Sequence, residues 1–264
     1  MKIGIVGWGV VGSAIGEGFK ILGHEVMCHD TKLNTIIDNV LNTEIIFICV
    51  PTPSITDGEC DLSIVHKTID DLKSKKYTGI IALKSTSTPG TTESIIKKYN
   101  DKDICFVPEF LKERSALEDF VVNHDVLAIG CHTDRAWDAV CKSHAWLPKN
   151  VVRMTPTEAE ILKYYSNTFN ALRVVFANVM YEISNKLDSD YNKILSTFLL
   201  RKTASPDYLN CNSDMRGYGG MCLPKDTKAM AHLCKKLGLP FNLFDTINHD
   251  NGQIKKTVFP GMRD

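Results

Sequence analysis

No stretch of this chain comes near the roughly 18 consecutive apolar residues that suggest a membrane span, so no membrane partner is expected. Neither sign of charge is in excess. Lys and Arg number 31, Asp and Glu number 31, and the formal net charge is +0. That balance leaves no electrostatic footprint for nucleic acid, although small anions are held by local groups and stay open as ligands. No two of the nine cysteines stand at the spacing of a metal site, so no metal is expected. Their odd number fits a reducing, cytoplasmic compartment better than a disulfide framework. The N-terminus runs directly into a strand-like segment broken by glycines and does not read as a signal peptide. Repeats and low-complexity tracts are missing too. What remains is ordinary globular material, 44% hydrophobic and 23% charged, over 264 residues, enough for two modest domains.

Lys2 to Val6 is a short apolar run, read as a buried strand, and Gly7-Trp8-Gly9-Val10-Val11-Gly12 follows at once. From Ser13 to Leu22 apolar residues recur at helical spacing. Strand, G-x-G-x-x-G and helix in that order form a dinucleotide fingerprint in its proper context. Gly7 allows the tight turn, Gly9 lets a pyrophosphate approach, and Gly12 lets helix and strand pack closely. The helix N-terminus offers N–H donors to the phosphates. Glu25 to His29 reads as the second strand. Asp30 ends it, 18 positions after Gly12, where an acid binds the ribose hydroxyls of NAD and repels the extra phosphate of NADP. The competing reading is a glycine-rich turn with a helix-capping aspartate.

Further strands are expected at Glu44 to Val50, Gly79 to Leu83, Asp103 to Val107 and Val126 to Gly130. Helices are expected at Ile64 to Leu72, capped by Asp61 or Ser63, and at Trp137 to Ala145. Asp57-Gly58 signals a turn. Polar groups follow the strands at Pro51-Thr52-Pro53, Lys84-Ser85-Thr86 and Pro108-Glu109. The C-terminal ends of parallel strands form the ligand edge of an open α/β sheet. The expected fold is therefore α/β, a Rossmann-like doubly wound sheet over residues 1–154, followed by an all-helical domain over 155–264.

That second domain announces itself by another absence. Residues 157 to 187 hold no Pro or Gly, and Ile161, Leu162, Tyr165, Phe169, Leu172, Val175, Phe176 and Val179 fit a helical apolar stripe. Such a helix exceeds the average length and suits a homodimer face. Lys163 and Asn167, four apart, share one side of it. A lysine and an amide so placed are commonly just solvated. Tyr191 onward reads as helices at Thr227 to Leu237 and Phe241 to Lys256, with a frayed end at Phe259 to Asp264.

Around these helices lies Gly217-Tyr218-Gly219-Gly220-Met221-Cys222-Leu223-Pro224-Lys225-Asp226. Three glycines clear space for the backbone to approach a ligand. A cation beside a thiol raises its thiolate fraction, and a nearby carboxylate can handle protons. Cysteines most often simply pack. The glycines and the Lys225–Asp226 pair set Cys222 apart from the other eight as a candidate nucleophile.

Taken together these segments resemble the UDP-glucose/GDP-mannose dehydrogenases, NAD-dependent nucleotide-sugar 6-dehydrogenases. The resemblance rests on Gly7-x-Gly9-x-Val11-Gly12, Pro51-Thr52-Pro53, Asp57-Gly58-x-x-Asp61-Leu62, Lys84-Ser85-Thr86, Pro108-Glu109-Phe110-Leu111-Lys112-Glu113, Glu118-Asp119-Phe120, Lys163-x-x-x-Asn167 and the cysteine loop. These lie in order over most of the chain. The resemblance implies a four-electron oxidation of a sugar C6 alcohol through a thiohemiacetal and a thioester on Cys222. It implies that Lys163 and Asn167 donate to the oxyanion, that Asp226 and Thr86 position a water, and that Glu109 assists hydrolysis. It assigns Gly7, Gly9, Val10, Val11, Gly12, Asp30, Pro51, Thr52, Ser85, Thr86, Glu113 and Lys225 to NAD. Phe110, Leu111, Glu113, Lys163, Asn167 and Gly219 go to the nucleotide sugar.

The sequence departs from the family's pattern in three places. The stretch between Asp30 and Glu44 is short for a second helix. Arg216 stands where an aromatic is common. The family's C-terminal, nucleotide-gripping domain of roughly a hundred residues has no counterpart, which leaves a minimal dehydrogenase, a domain supplied by a partner chain, or a smaller substrate. Two rivals remain. A two-electron β-hydroxyacid dehydrogenase of the 3-hydroxyisobutyrate or 6-phosphogluconate type shares the Lys-x-x-x-Asn pair and needs no cysteine. A non-catalytic NAD-binding protein would bind cofactor without turnover.

Overall fold

Five short segments form the first strands, β1 (Lys2–Val6), β2 (Glu25–His29), β3 (Ile45–Ile48), β4 (Ile80–Leu83) and β5 (Ile104–Phe106), with Ile and Val prominent in β1, β3 and β4. In the computed structural model, which describes residues 1–55 and 58–257, they lie parallel in the order β2-β1-β3-β4-β5. Asp57 of the expected turn, and the expected frayed end at Phe259 to Asp264, lie outside the described residues. The chain winds one way from β1 to β2 and the other way from β3 onward, so a topological switch point falls between β1 and β3. Such a point is where α/β sheets bind ligands.

Side chains alternate across the sheet with the two-residue period of a strand. Ile3, Ile5, Ile45, Phe47, Ile80 and Ala82 enter one core with Phe19 and Phe120. Ile46, Ile48, Ile81 and Leu83 enter the other with Val65, Ile69 and Ile95. Each buried Ile, Leu, Val or Phe among them contributes about 1.5–3 kcal/mol. Helices cover both faces, namely α1 (Val10–Ile21), α2 (Ser63–Ser74), α3 (Thr91–Tyr99), α4 (Ala116–Val121) and α5 (Asp134–His144).

β6 (Val126–Gly130) pairs antiparallel to β5, and β7 (Asn150–Met154) is parallel to β6. The sheet is therefore mixed. The C-terminal end of β6 points away from the edge shared by β1 to β5, so it adds nothing to the ligand edge. Three segments differ from the pattern expected of the sequence. α3 begins after Pro89-Gly90 with two threonines, a weak helical signal. α4 is six residues long. β7 is an edge strand whose residues are mostly exposed, so it lacks alternation. Between β2 and β3 the chain makes only two 3₁₀ turns, Thr31–Leu33 and Ile37–Val40, in keeping with a stretch too short for a second helix.

The chain divides into two compact units. The first comprises Met1–Ile55 with Cys60–Lys163, and the second takes Tyr164 onward together with Gly58 and Glu59. The long helix α6 (Pro156–Lys186) contributes its first turns to the first unit. There Ala159 is fully buried in the second of the two cores. A reciprocal capping box opens the helix: Thr155 N–H donates to Glu158 Oε2 at 2.7 Å and Glu158 N–H to Thr155 Oγ1 at 3.3 Å. Pro156 fits at the first helical position because its missing N–H is not needed there.

In the second unit the rest of α6 meets α7 (Tyr191–Phe198), α8 (Leu223–Lys236) and α9 (Leu243–Gly252). Ala171, Val175, Tyr218 and Ile247 form one small core. Ala177, Tyr191, Leu209 and Cys211 form another. α9 ends at Gly252, earlier than the pattern suggests. The chain then returns as β9 (Lys256–Thr257) beside β8 (Gly217–Tyr218).

Candidate functional site

In the first unit the glycine turn has the shape a dinucleotide needs. Gly7 has φ +92°, in the left-handed region, and a Cβ there would meet Cys49 O at 2.6 Å. A Cβ on Gly12 would meet Gly7 O at 1.8 Å, whereas one on Gly9 would meet nothing within 4 Å. Two glycines are thus required by the chain itself, and the third faces open space. Gly9 caps α1 without any side-chain hydrogen bond to that helix end, which leaves the approach to Val10 and Val11 clear for an anion.

Asp30 closes the turn from the side. Its carboxylate accepts from Trp8 N–H at 2.6 Å and from Lys32 N–H at 2.8 Å. Burial works to raise its pKa. The Lys32 and Trp8 donors, with the charges of Lys32 and His29, outweigh burial and hold it below the usual carboxylate range. An ionised acid with lone pairs to spare suits ribose hydroxyls. These residues fit NAD.

Pro51 and Thr52 follow β3, the first exposed and the second buried. Ser85 Oγ lies 2.7 Å from Val50 O and binds the β4 end to the β3 end. Thr86 is half-buried beside it. Lys84 is buried, and its ammonium donates to Val107 O at 3.3 Å. Burial, the largest influence, lowers its pKa to about 8.

After β5 the chain brings Glu109 to Lys163. The lysine ammonium donates to Glu109 O at 2.6 Å and to its carboxylate at 3.0 Å. Both side chains are at most 10% exposed. The other carboxylate oxygen accepts from Leu111 N–H at 2.7 Å, and the Phe110 ring lies 5.7 Å from the ammonium. Glu113 starts a 3₁₀ turn at Glu113–Ser115. Asp119 holds that turn by accepting from Lys112 N–H and Ser115 Oγ.

The second unit assembles the remaining candidates. Cys222 is exposed and stands at the N-cap of α8, where helix N–H groups and the positive dipole end favour a thiolate. Asp226, one turn on, is 1% exposed. It accepts from Lys225 Nζ at 2.5 Å and from Asn167 Nδ2 at 2.5 Å. Gly219 links β8 to Gly220, which has φ +73°.

Two residues outside the candidate site set shape this loop. Asn251 accepts from Tyr218 N–H at 2.9 Å and donates to Tyr218 O at 3.0 Å. Arg216 turns to α6, where its guanidinium binds Asn178 Oδ1 at 2.8 Å, pairs with Glu182 and lies over Tyr181. Neither signal was available locally, because both partners are more than 30 residues away. Among the described residues no cluster of three or more His, Cys, Asp or Glu could hold a metal. No described helix is long and apolar enough to cross a membrane.

A sheet with a dinucleotide turn at its switch point defines a dinucleotide-binding fold, and its relatives make the chain an NAD-dependent oxidoreductase acting on CH–OH groups. The comparisons narrow the class. The NAD-binding-domain model of the UDP-glucose/GDP-mannose dehydrogenase family matches residues 31–145, and that family's central-domain model matches residues 157–253. The chain is 29% identical to UDP-glucose 6-dehydrogenase of Rickettsia bellii, over 95% of this chain and 67% of that protein. It is 28% identical to UDP-glucose 6-dehydrogenase AglM of Haloferax volcanii, over 98% of this chain and 71% of that protein. A UDP-glucose dehydrogenase structure from Pyrobaculum islandicum superposes with a TM-score of 0.86 at 26% identity, covering 96% of this chain and 68% of that one. The chain belongs to the UDP-glucose/GDP-mannose dehydrogenase family, and spans about two thirds of the length of these relatives.

Proposed function

We propose that the protein oxidises the C6 alcohol of a nucleotide sugar to the carboxylate, as in UDP-glucose to UDP-glucuronate, for polysaccharide biosynthesis. The observation that carries this reading is Cys222 at the head of α8, with the Lys225–Asp226 pair in its first turn and Asn167 on Asp226. The glycine turn would hold NAD, and two molecules of it in turn would supply the hydride acceptor, one for each oxidation. The alcohol loses a hydride and a proton to become an aldehyde. The Cys222 thiolate adds to the aldehyde carbon, and the new C–S bond gives a thiohemiacetal. Loss of a second hydride and a proton makes a thioester. Water then breaks the C–S bond and frees the carboxylate and the thiol.

The covalent step divides a difficult oxidation into easier ones. Lys163 and Asn167 donate to the oxyanion as it develops. Asp226 and Thr86 orient a proton-accepting water, and Glu109 assists hydrolysis of the thioester. We assign Pro51, Thr52, Ser85, Glu113 and Lys225 to the cofactor, and Phe110, Leu111 and Gly219 to the sugar. We take residues 1–154 as the NAD-binding domain and 155–264 as the helical one. The nine thiols, none in a disulfide, fit the cytoplasm.

The test is the yield of NADH per molecule of limiting UDP-glucose, for the wild type and Cys222→Ser. Two NADH per sugar in the wild type, lost or stalled in the variant, is the expected result. Full activity of Cys222→Ala on a small hydroxyacid would favour the two-electron rival instead.

A homodimer through α6 belongs to the same reading. Ile161, Tyr165, Phe169, Phe176, Val179 and Ile183 are all at least 42% exposed along this helix, a long apolar stripe that water disfavours. Light scattering of the wild type and of Tyr165→Glu/Phe169→Glu checks it. A dimer that becomes a monomer is expected, and an unchanged mass would reject this face.

A further inference from the structure

One fully buried carboxylate has no part in the chemistry just described. Glu160 lies in the second turn of α6, is 0% exposed, and receives three hydrogen bonds. Gly90 N–H donates to Oε2 at 2.6 Å. Thr92 N–H and Thr92 Oγ1–H donate to Oε1 at 2.8 and 2.6 Å. All three donors belong to the start of α3, whose N-cap Gly90 has φ +95° and no side chain of its own to cap the helix. A carboxylate from a distant helix fills that role, at the helix end that attracts negative charge.

The two segments tied together are the ones that carry candidate catalytic groups. Upstream of Gly90, the turn is pinned to Ser85-Thr86 at the β4 end, because Ser87 Oγ donates to Ser85 O at 2.9 Å and Thr91 N–H to Thr88 O at 3.0 Å. Downstream of Glu160 by three positions, on the same side of α6, stands Lys163 with its ammonium on Glu109. We propose that Glu160 is a positioning residue: its carboxylate locks the first turns of α6 to the Gly90–Thr92 segment, and thereby sets the Lys163 ammonium on Glu109 and in fixed relation to Ser85-Thr86.

The choice of an acid has a cost. Burial is the main influence on Glu160 and pushes its pKa up to about 7. The Thr92 and Gly90 donors pull against burial, and the Glu93 charge adds to it. Glu93 is itself bonded to His132 at 2.8 Å. An apolar residue there would fill the space but leave the Gly90 and Thr92 donors unpaired. A carboxylate gives direction: two oxygens meet three donors in one geometry.

The inference rests on the proposed nucleotide-sugar oxidation for its kinetic arm, so the decisive readout is independent of turnover. The rate of acetylation of the Lys163 amine by acetic anhydride is followed by mass spectrometry, with Lys73 as a remote control, alongside amide exchange at Thr92. In Glu160→Gln, which turns an N–H toward N–H donors, Lys163 labelling should rise about tenfold, with Thr92 protection lost and Lys73 unchanged. Thr92→Val, which removes only the hydroxyl donor, should shift both in the same direction by less, and serves if Glu160→Gln does not fold. With UDP-glucose, kcat should fall on the order of 10- to 100-fold while the KM for NAD holds, as a misplaced group predicts. The acid limb of the pH profile near neutrality should move. Unchanged Lys163 labelling and Thr92 protection in both variants would overturn the proposal. A wild type without turnover, with the labelling shift still present in Glu160→Gln, would count against the oxidation and for Glu160.

Discussion

The Trp8 amide donates to the Asp30 carboxylate at 2.6 Å, so the acid that ends β2 is built into the glycine turn that it adjoins. One oxygen holds Trp8 and the other caps the 3₁₀ turn through Lys32. Asp30→Asn should therefore lose stability as well as cofactor. About 1–2 kcal/mol is expected from the lost cap and charged hydrogen bond, with NAD affinity down about tenfold. Thermal unfolding and calorimetric NAD titration measure the two separately. A variant that lost neither would remove Asp30 from the cofactor site.

Gly9 and Gly12 should part company. Gly9 has φ −78°, which alanine adopts, and its Cβ would meet nothing. Gly9→Ala is expected to keep its stability within about 0.5 kcal/mol and to lose NAD binding. Gly12→Ala drives a Cβ into Gly7 O and should cost about 3 kcal/mol. Equal NAD affinity in Gly9→Ala and wild type would show that the open space is not used.

Asn251 pairs both backbone groups of Tyr218, four residues before Cys222. Asn251→Ala leaves a buried N–H and a buried carbonyl without this partner, at about 1–3 kcal/mol. The melting temperature should drop, and the rate of Cys222 alkylation by iodoacetamide should change. A stable variant with unaltered Cys222 reactivity would make the clamp irrelevant to the loop.

Acid should weaken the first unit. His144 is fully buried among Phe19, Phe47 and Phe120. Burial, with Lys84 nearby, lowers its pKa well below the ordinary value. His124 is lowered to about 4 by the same influences. Both folded pKa values lie below the unfolded value of 6.5, so the unfolded state binds more protons as pH falls from 6.5 toward 4. Stability is then lost by up to about 1.4 kcal/mol per pH unit per histidine. Glu160 acts in the opposite sense: raised to about 7, it contributes stability at low pH that is lost as pH rises through 7. Unfolding free energy measured between pH 7.5 and 4.5 should fall toward acid, more steeply in Glu160→Gln and less steeply in His144→Phe. A flat wild-type profile would contradict the histidine argument.

The sequence was most legible where local chemistry decides the outcome. β1, β2 and β6 have the bounds their apolar runs imply, and α6 fills the Pro- and Gly-free stretch, because period and composition dictate both. The glycine turn was legible for the same reason, since each glycine answers a steric need within a few residues. β7 was not, because an exposed edge strand carries no alternation. The direction of β6 was not either, because it is set by the path of residues 107–125 and not by the strand itself. At the site, residue types pointed to Lys163, Asn167, Cys222 and Asp226, yet the pairings Lys163–Glu109 and Asn167–Asp226 depend on contacts 54 and 59 residues apart. Glu160 and Asn251 stayed hidden on that account: each looks like an ordinary polar helix residue until its distant partner is known.

The start of α6 is fixed by the Thr155–Glu158 box and again by Glu160, five positions after Thr155. Each added residue turns a helix by about 100°. A one-residue insertion between Thr155 and Lys163 would swing the ammonium away from Glu109, however well the helix itself formed. Length variation among descendants of this sequence is therefore confined to the far end of the helix, while the number of these nine positions is held.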